Sequence, residues 1–294
     1  MERLRGMLFG AFVADAYALG LHWVYDLEKL ATFKDRDSLM MTPSKDSFHL
    51  GKVKGEFTHY GDQSLLLLKS IASNNGFSIS VFKRHWLTYM TKYEGYMDHA
   101  SKESIELLDS NTFKGSSSNE LGGLARVAPL IYYHFDDPDL KNLVEAETRL
   151  THNNDLLIHY GHYITDVILE LVIGKPLIET IYKVASDYPK ILSLLEICES
   201  RLTEETATVI HDIGQSCSSQ FAFPAVLYLL VKYPGDYITS MNQNVLSGGD
   251  SAGRGMVLGM LQGAALGYSQ LPQEWLQDIK VFDLINSFTQ HKQI

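Results

Sequence analysis

Cysteine is scarce in this chain: only Cys198 and Cys217 occur, too few for a disulfide framework or a cysteine-rich zinc site. That scarcity makes a reducing compartment, the cytoplasm, the default expectation. Long apolar runs are missing as well. No segment offers about 20 apolar residues free of charge, which argues against a membrane span. There is no basic excess, since 25 Lys and Arg face 35 Asp and Glu for a formal net charge of -10. A general nucleic-acid surface needs a basic face to neutralise phosphates, so that class of partner is set aside. A small anionic ligand held in one locally positive pocket stays open. Charge blocks, low-complexity tracts and repeats are absent too. The breaks at 35–55, 111–122 and 234–247 are neither long nor biased enough to be domain linkers. At 294 residues the chain can bury a large core, and one compact domain over residues 1–294 is expected.

Strand alternation is also sparse, and helical spacing takes its place. A Leu-rich run over 64–72 is closed by Asn74, Asn75 and Gly76. Residues 80–91 read as a helix with Trp86 and Tyr89 on its inner side. Over 153–173, Leu156, Leu157, Tyr160, Ile164, Val167, Ile168 and Leu171 recur at helical spacing, and Gly174 and Pro176 end the pattern. Residues 223–232 form another apolar helix with Pro224 in its first turn. The expected fold class is all-α.

What the chain does have is glycine where helices dislike it. Ser247-Gly248-Gly249-Asp250-Ser251-Ala252-Gly253-Arg254 runs into a helical stretch with Gly255, Gly259, Gly263 and Gly267 on one ridge. Each such Gly costs a helix interior roughly 1 kcal/mol relative to Ala. Backbone-to-backbone packing against a neighbour would justify them, with the helix start and Asp250 facing a cleft. Unsatisfied N–H groups there suit phosphate or a metal-held anion; Asp250 is otherwise a plain N-cap. At the other end, Arg3 and Arg5 precede an apolar stretch over 6–13, and Ala14-Asp15-Ala16 has the small-x-small form of a leader cleavage site. The same stretch carries Gly6, Gly10, Ala14 and Ala18 on one ridge, which favours the first helix of the fold.

Four clusters can carry chemistry. In the first, Asp15 sits inside an apolar helix and must be paired or hydrogen-bonded; Gly20-Leu21-His22-Trp23-Val24-Tyr25-Asp26 follows it. The second, Thr58-His59-Tyr60-Gly61-Asp62-Gln63-Ser64, puts Asp62 at the start of the Leu-rich helix as a cap or a cation ligand. The third is the glycine pair Gly122-Gly123 before Arg126, Ala128 and Pro129, and the fourth, Thr151-His152-Asn153, caps the long helix and presents His152. Cys217 reads as an inert thiol and His211-Asp212 as a surface pair.

In this order the clusters resemble the ADP-ribosylglycohydrolase family, nearly end to end. That family opens with Gly-Asp-Ala-x-Gly, places Thr-Asp-Asp before its next helix, then a Gly-rich segment ending Arg-Val-Ala-Pro, then Thr-His-Asn, and closes with Gly-Gly-Asp-x-Asp-Thr. The forms His-Trp-Val-Tyr-Asp and Tyr-Gly-Asp-Gln resemble the branch that includes the lens J-crystallins. The resemblance implies a multi-helical orthogonal bundle, small-molecule or protein-linked ADP-ribose as ligand, and Mg2+ as cofactor. Aligned this way, Gly61, Gln63, Ala252 and Gly253 stand where ligands belong, and Asp62 and Asp250 survive as metal ligands for one ion or none. Arg254, four residues after Asp250, is read as filling part of the vacated metal space and attracting phosphate.

An enzyme of this kind hydrolyses an N- or O-glycosidic bond at the ribose C1″. The resemblance makes Asp26 the acidic catalytic candidate, with Asp62 and Asp250 orienting the metal. Gly122, Gly123, Arg126, His152, Ser251 and Arg254 then line the ADP-ribose site, and Tyr25 and Tyr60 stack on ribose or adenine. Two alternatives stay open: a catalytically silent member that binds ADP-ribose or serves as a crystallin-like structural protein, and a metal-free glycoside or nucleoside hydrolase whose water is placed by Asp26.

Overall fold

The computed structural model describes residues 1–108 and 111–290. Among them the chain forms seventeen α-helices and one short 3-10 turn. The described residues form no strand, only the isolated bridge pairs Ser116–His152 and Glu120–Ser218. The fold is all-α. One hydrophobic cluster runs through it from Leu4 to Ile285.

Its axis is the contact between the first helix, Glu2–Ala18, and the glycine helix, Ser251–Leu266. The two small-residue ridges face each other. A Cβ at Gly6 or Gly10 would collide with the carbonyl of Gly263 or Gly259, and the reverse holds. Backbone approach at this range is available only to glycine, which explains residues that helix propensity disfavours. Further along, Gly255 lies against Ala14, so the start of the glycine helix meets the end of the first one. Gly267, with φ at +93°, terminates the helix and still packs its backbone on Gly6. Every residue of the first helix from Gly6 to Ala18 is buried. Asp15 among them is fully enclosed and accepts from the Thr58 amide at 2.8 Å and the Thr58 hydroxyl at 2.6 Å.

Several expected boundaries move. The Leu-rich helix begins earlier, at His59, because Thr58 caps it by accepting from the Tyr60 amide at 3.2 Å. In the helix Ile79–Met90, Trp86 is buried as expected, but Tyr89 is 37% exposed. The long helix spans Asp155–Val172 and its cap is Asn154, whose Oδ1 accepts from Leu156 and Leu157, so Thr151, His152 and Asn153 precede the cap. The helix Ser219–Lys232 starts before its expected first turn and keeps Pro224 inside. Its apolar side is fully buried, which offsets the lost amide donor. Segment 234–247 is mostly the helix Tyr237–Leu246, capped by Asp236.

Candidate ligand cleft at two helix starts

Gly248 and Gly249 build the turn into Asp250. Both have positive φ, +73° and +68°, and a side chain on either would strike Val24, Gln215 or Leu30. Opposite them, Trp23 also adopts positive φ, +62°, strained for a bulky residue. The strained turn is held by paired hydrogen bonds, Trp23 N to Gly249 O at 2.9 Å and Gly249 N to Val24 O at 2.8 Å. The loop after the first helix is thereby tied to the start of the glycine helix.

Asp250 is fully buried there. Its Oδ1 accepts the Gly253 amide at 3.1 Å and lies 3.7 Å from His22 Nδ1, while the Tyr60 hydroxyl stands 3.5 Å from Oδ2. Burial raises the Asp250 pKa against the opposing charge of Arg254 and the Gly253 hydrogen bond. Tyr60 comes from the first turn of the Thr58-capped helix, so two helix starts meet at this carboxylate. Gly122 is glycine because the Tyr60 ring lies on it, and Gly123 because the His152 ring does.

Around this junction sit groups that the sequence reading passed over. His59 Nε2 lies 3.1 Å from Asp98 Oδ2. Burial alone would raise the Asp98 pKa, but the hydrogen bond and charge of His59 outweigh it and hold the carboxyl below its usual range. Glu120 is pushed up to about 7, first by burial and then by the negative charge of Asp98, with Asp250 adding to it. The Cys217 thiol donates to Glu120 Oε1 at 3.4 Å, and Glu120 Oε2, 4.0 Å from His152 Nε2, has no hydrogen-bond partner. His152 is lowered to about 3 by burial and by Arg126. Aromatic rings close the site: His22, Trp23, His49 and His59 stack in a column with Tyr96 edge-on to it. A cavity of about 260 Å3 opens beside the column, lined by His22, Trp23, Tyr25, Asp26, Lys29 and Phe48 among others.

The expected site residues divide. Tyr25, Tyr60, His152, Ser251 and Asp250 gather at this junction; Tyr25 is half-exposed and Ser251 is buried with a hydroxyl that has no partner. Asp26 lines the cavity, but its carboxylate caps the short helix Leu27–Ala31 by accepting from the Lys29 amide. The other five expected residues have partners within the chain. Arg126 is buried in a network with Glu147 at 2.5 Å, Gln63 at 3.0 Å and Thr151. Gly122 and Gly123 cradle side chains of this chain. Arg254 makes no ion pair with Asp250; it bonds Asn244 and the Gly248 carbonyl, staples the glycine turn, and leaves Nη1 without a partner. Asp62 stands two residues beyond Tyr60, roughly 200° around the helix. There its Oδ2 receives Lys52 Nζ at 2.7 Å and the Tyr93 hydroxyl at 2.6 Å. Tyr93 lines a separate hollow of about 710 Å3.

A profile of the ADP-ribosylglycohydrolase family matches residues 1–292. The chain belongs to the ADP-ribosylglycohydrolase family. It is similar to Crystallin J1A and Crystallin J1B of Tripedalia cystophora, each 21% identical over 94% of this chain and 91% of the relative. Its fold is similar to a solved structure titled "ADP-ribosylglycohydrolase-related protein complex", at TM-score 0.72 and 18% identity over 98% of this chain and 95% of the other.

With that family comes the expectation of a divalent ion, which the donor set can test. Mg2+ asks for about six oxygen donors in near-octahedral geometry. Asp62 is neutralised by Lys52 on the far side of its helix, Asp250 spends Oδ1 on a backbone amide, and Gly61 has no room for a side chain because the Asp15 carboxylate packs on it. Among the described residues no group of three His, Cys, Asp or Glu side chains is arranged to hold a metal ion. The expected Mg2+ site between Asp62 and Asp250 does not fit these residues. Glu120 and His59 were within reach of the sequence, since both lie inside or beside the quoted family motifs; their type, absent from those motifs, hid them.

Proposed function

We propose that the chain hydrolyses a glycosidic bond at the ribose of an ADP-ribosyl substrate, using Glu120 and Asp250 as its working carboxyls. One observation carries this reading: a carboxyl pushed up to about 7 with an oxygen free of hydrogen bonds, Glu120, feels the charge of a second, Asp250, which accepts the Gly253 amide and has the Tyr60 hydroxyl 3.5 Å away. Two carboxyls with different partners can divide acid and base roles. Glu120, protonated, delivers its proton to the leaving nitrogen or oxygen as the bond to C1″ breaks. Asp250 takes the proton from the water whose oxygen forms the new bond to C1″, and its charge faces the positive charge developing on the ribose. Tyr25 and Tyr96 present rings to the sugar or base. Asp26, at the cavity rim, is kept as a positioning residue for the substrate.

The experiment is release of ADP-ribose from N- and O-linked ADP-ribosyl peptides by the purified chain, followed by chromatography. Turnover that persists in chelator and falls about 10²–10⁴-fold in Glu120→Gln supports the reading. Turnover that needs Mg2+ and disappears in Asp62→Ala overturns it. A second reading, a silent binding member, draws on the similarity to proteins named crystallins. It predicts calorimetric affinity for ADP-ribose with no release.

A further inference from the structure

Two side chains stand at the head of the Thr58-capped helix where the family's Thr-Asp-Asp motif precedes a helix. Thr58 is the cap, so His59 and Tyr60 take up the first turn, Tyr60 towards Asp250 and His59 towards Asp98, while Gly61, Asp62 and Gln63 lie farther into the helix. His59 is fully buried, with its Nε2 on the Asp98 carboxylate at 3.1 Å and its ring 3.9 Å from that of Tyr60. The Tyr60 ring is clamped on Gly122 and its hydroxyl points at Asp250. Together they fill the space between the helix starts.

We propose that His59 and Tyr60 occupy the cation position of this cleft, so that side chains of the chain itself fill that space and it binds no divalent ion. Asp98 is the partner that makes the arrangement possible, because it anchors the His59 ring from behind. Gly122 is the second requirement, since any side chain there would displace Tyr60. A consequence is that Asp250 has a donor, the Tyr60 hydroxyl, in the direction where a metal-binding carboxylate would keep an open coordination position. The inference does not depend on turnover, and its test reads ion binding.

Mn2+ titrated into the full-length chain, followed by loss of the free-ion electron paramagnetic resonance signal, separates the outcomes. The wild-type chain is expected to leave the free-ion signal unchanged, with a melting temperature insensitive to chelator and to added Mg2+. The double variant His59→Asp, Tyr60→Asp is expected to gain at least roughly tenfold in Mn2+ affinity and to melt higher with the ion present. Saturable Mn2+ binding by the wild-type chain that is lost in Asp250→Asn overturns the proposal. So does a folded double variant that binds no more Mn2+ than the wild type. If the double variant fails to fold, the wild-type chain and Asp250→Asn decide alone.

Discussion

Glu120 and the buried histidines give the residue scale its measurable consequences. With Glu120 at about 7, the rate of hydrolysis should fall as pH rises through neutrality, because the proton it delivers is lost. In Glu120→Gln the remaining slow rate should lose that limb, read from kcat/KM across pH 5–9. His49 runs the other way. Burial and the charges of His59 and Lys52 lower it to about 3, while the unfolded chain takes up the same proton near 6.5. The folded state therefore gains from neutral His49 above that range and loses about 1.4 kcal/mol for each pH unit between them. His49→Asn should flatten the acid side of the stability curve between pH 6 and 4 in denaturant melts. Arg126 makes a third case: Arg126→Ala leaves the enclosed Glu147 carboxyl without its partner, and should cost about 3–5 kcal/mol.

At the scale of elements, the crossing of the first helix and the glycine helix carries the prediction. Gly259→Ala or Gly10→Ala puts a methyl into an opposing carbonyl, which can be relieved only by parting the helices. A loss of about 1–3 kcal/mol is expected in thermal unfolding. This contact was legible in the sequence because four glycines cannot sit on a helical ridge without a partner, and Gly6 and Gly10 supplied one. Strongly apolar segments such as Asp155–Val172 were legible for the same reason. Short amphipathic helices such as Leu140–Arg149 and Tyr237–Leu246 were not, since their polar faces dilute the periodicity and their caps, Asp236 among them, resemble ordinary turn residues. The site divided similarly. Asp250 and Tyr60 announced themselves by motif, whereas the side of the helix that Asp62 takes depends on where Thr58 starts it.

The molecule as a whole closes on its two ends. Residues 2–18 pack chiefly on residues 251–266, and the cluster joining them includes every layer between. Loop closure of that length makes folding slow, and no early fragment can bury the glycine ridge. A chain truncated after residue 246 should therefore fail to give a cooperative melting transition, while the full chain gives one, by calorimetry. Failure of the full chain to melt as one unit would separate the ends into independent bodies. Buried positive charge is spent internally, by Arg126 and Arg254, on groups of the chain itself.

The strained turn at Trp23 has a practical corollary. Of the three tryptophans, Trp86 is sealed and bonded to Gln63, and Trp275 is sandwiched against Tyr17. Only Trp23 borders the cavity, stacked on His22 and His49. Its indole emission is a built-in optical gauge of whatever settles beside Asp250, so occupancy can be followed in real time with no label attached.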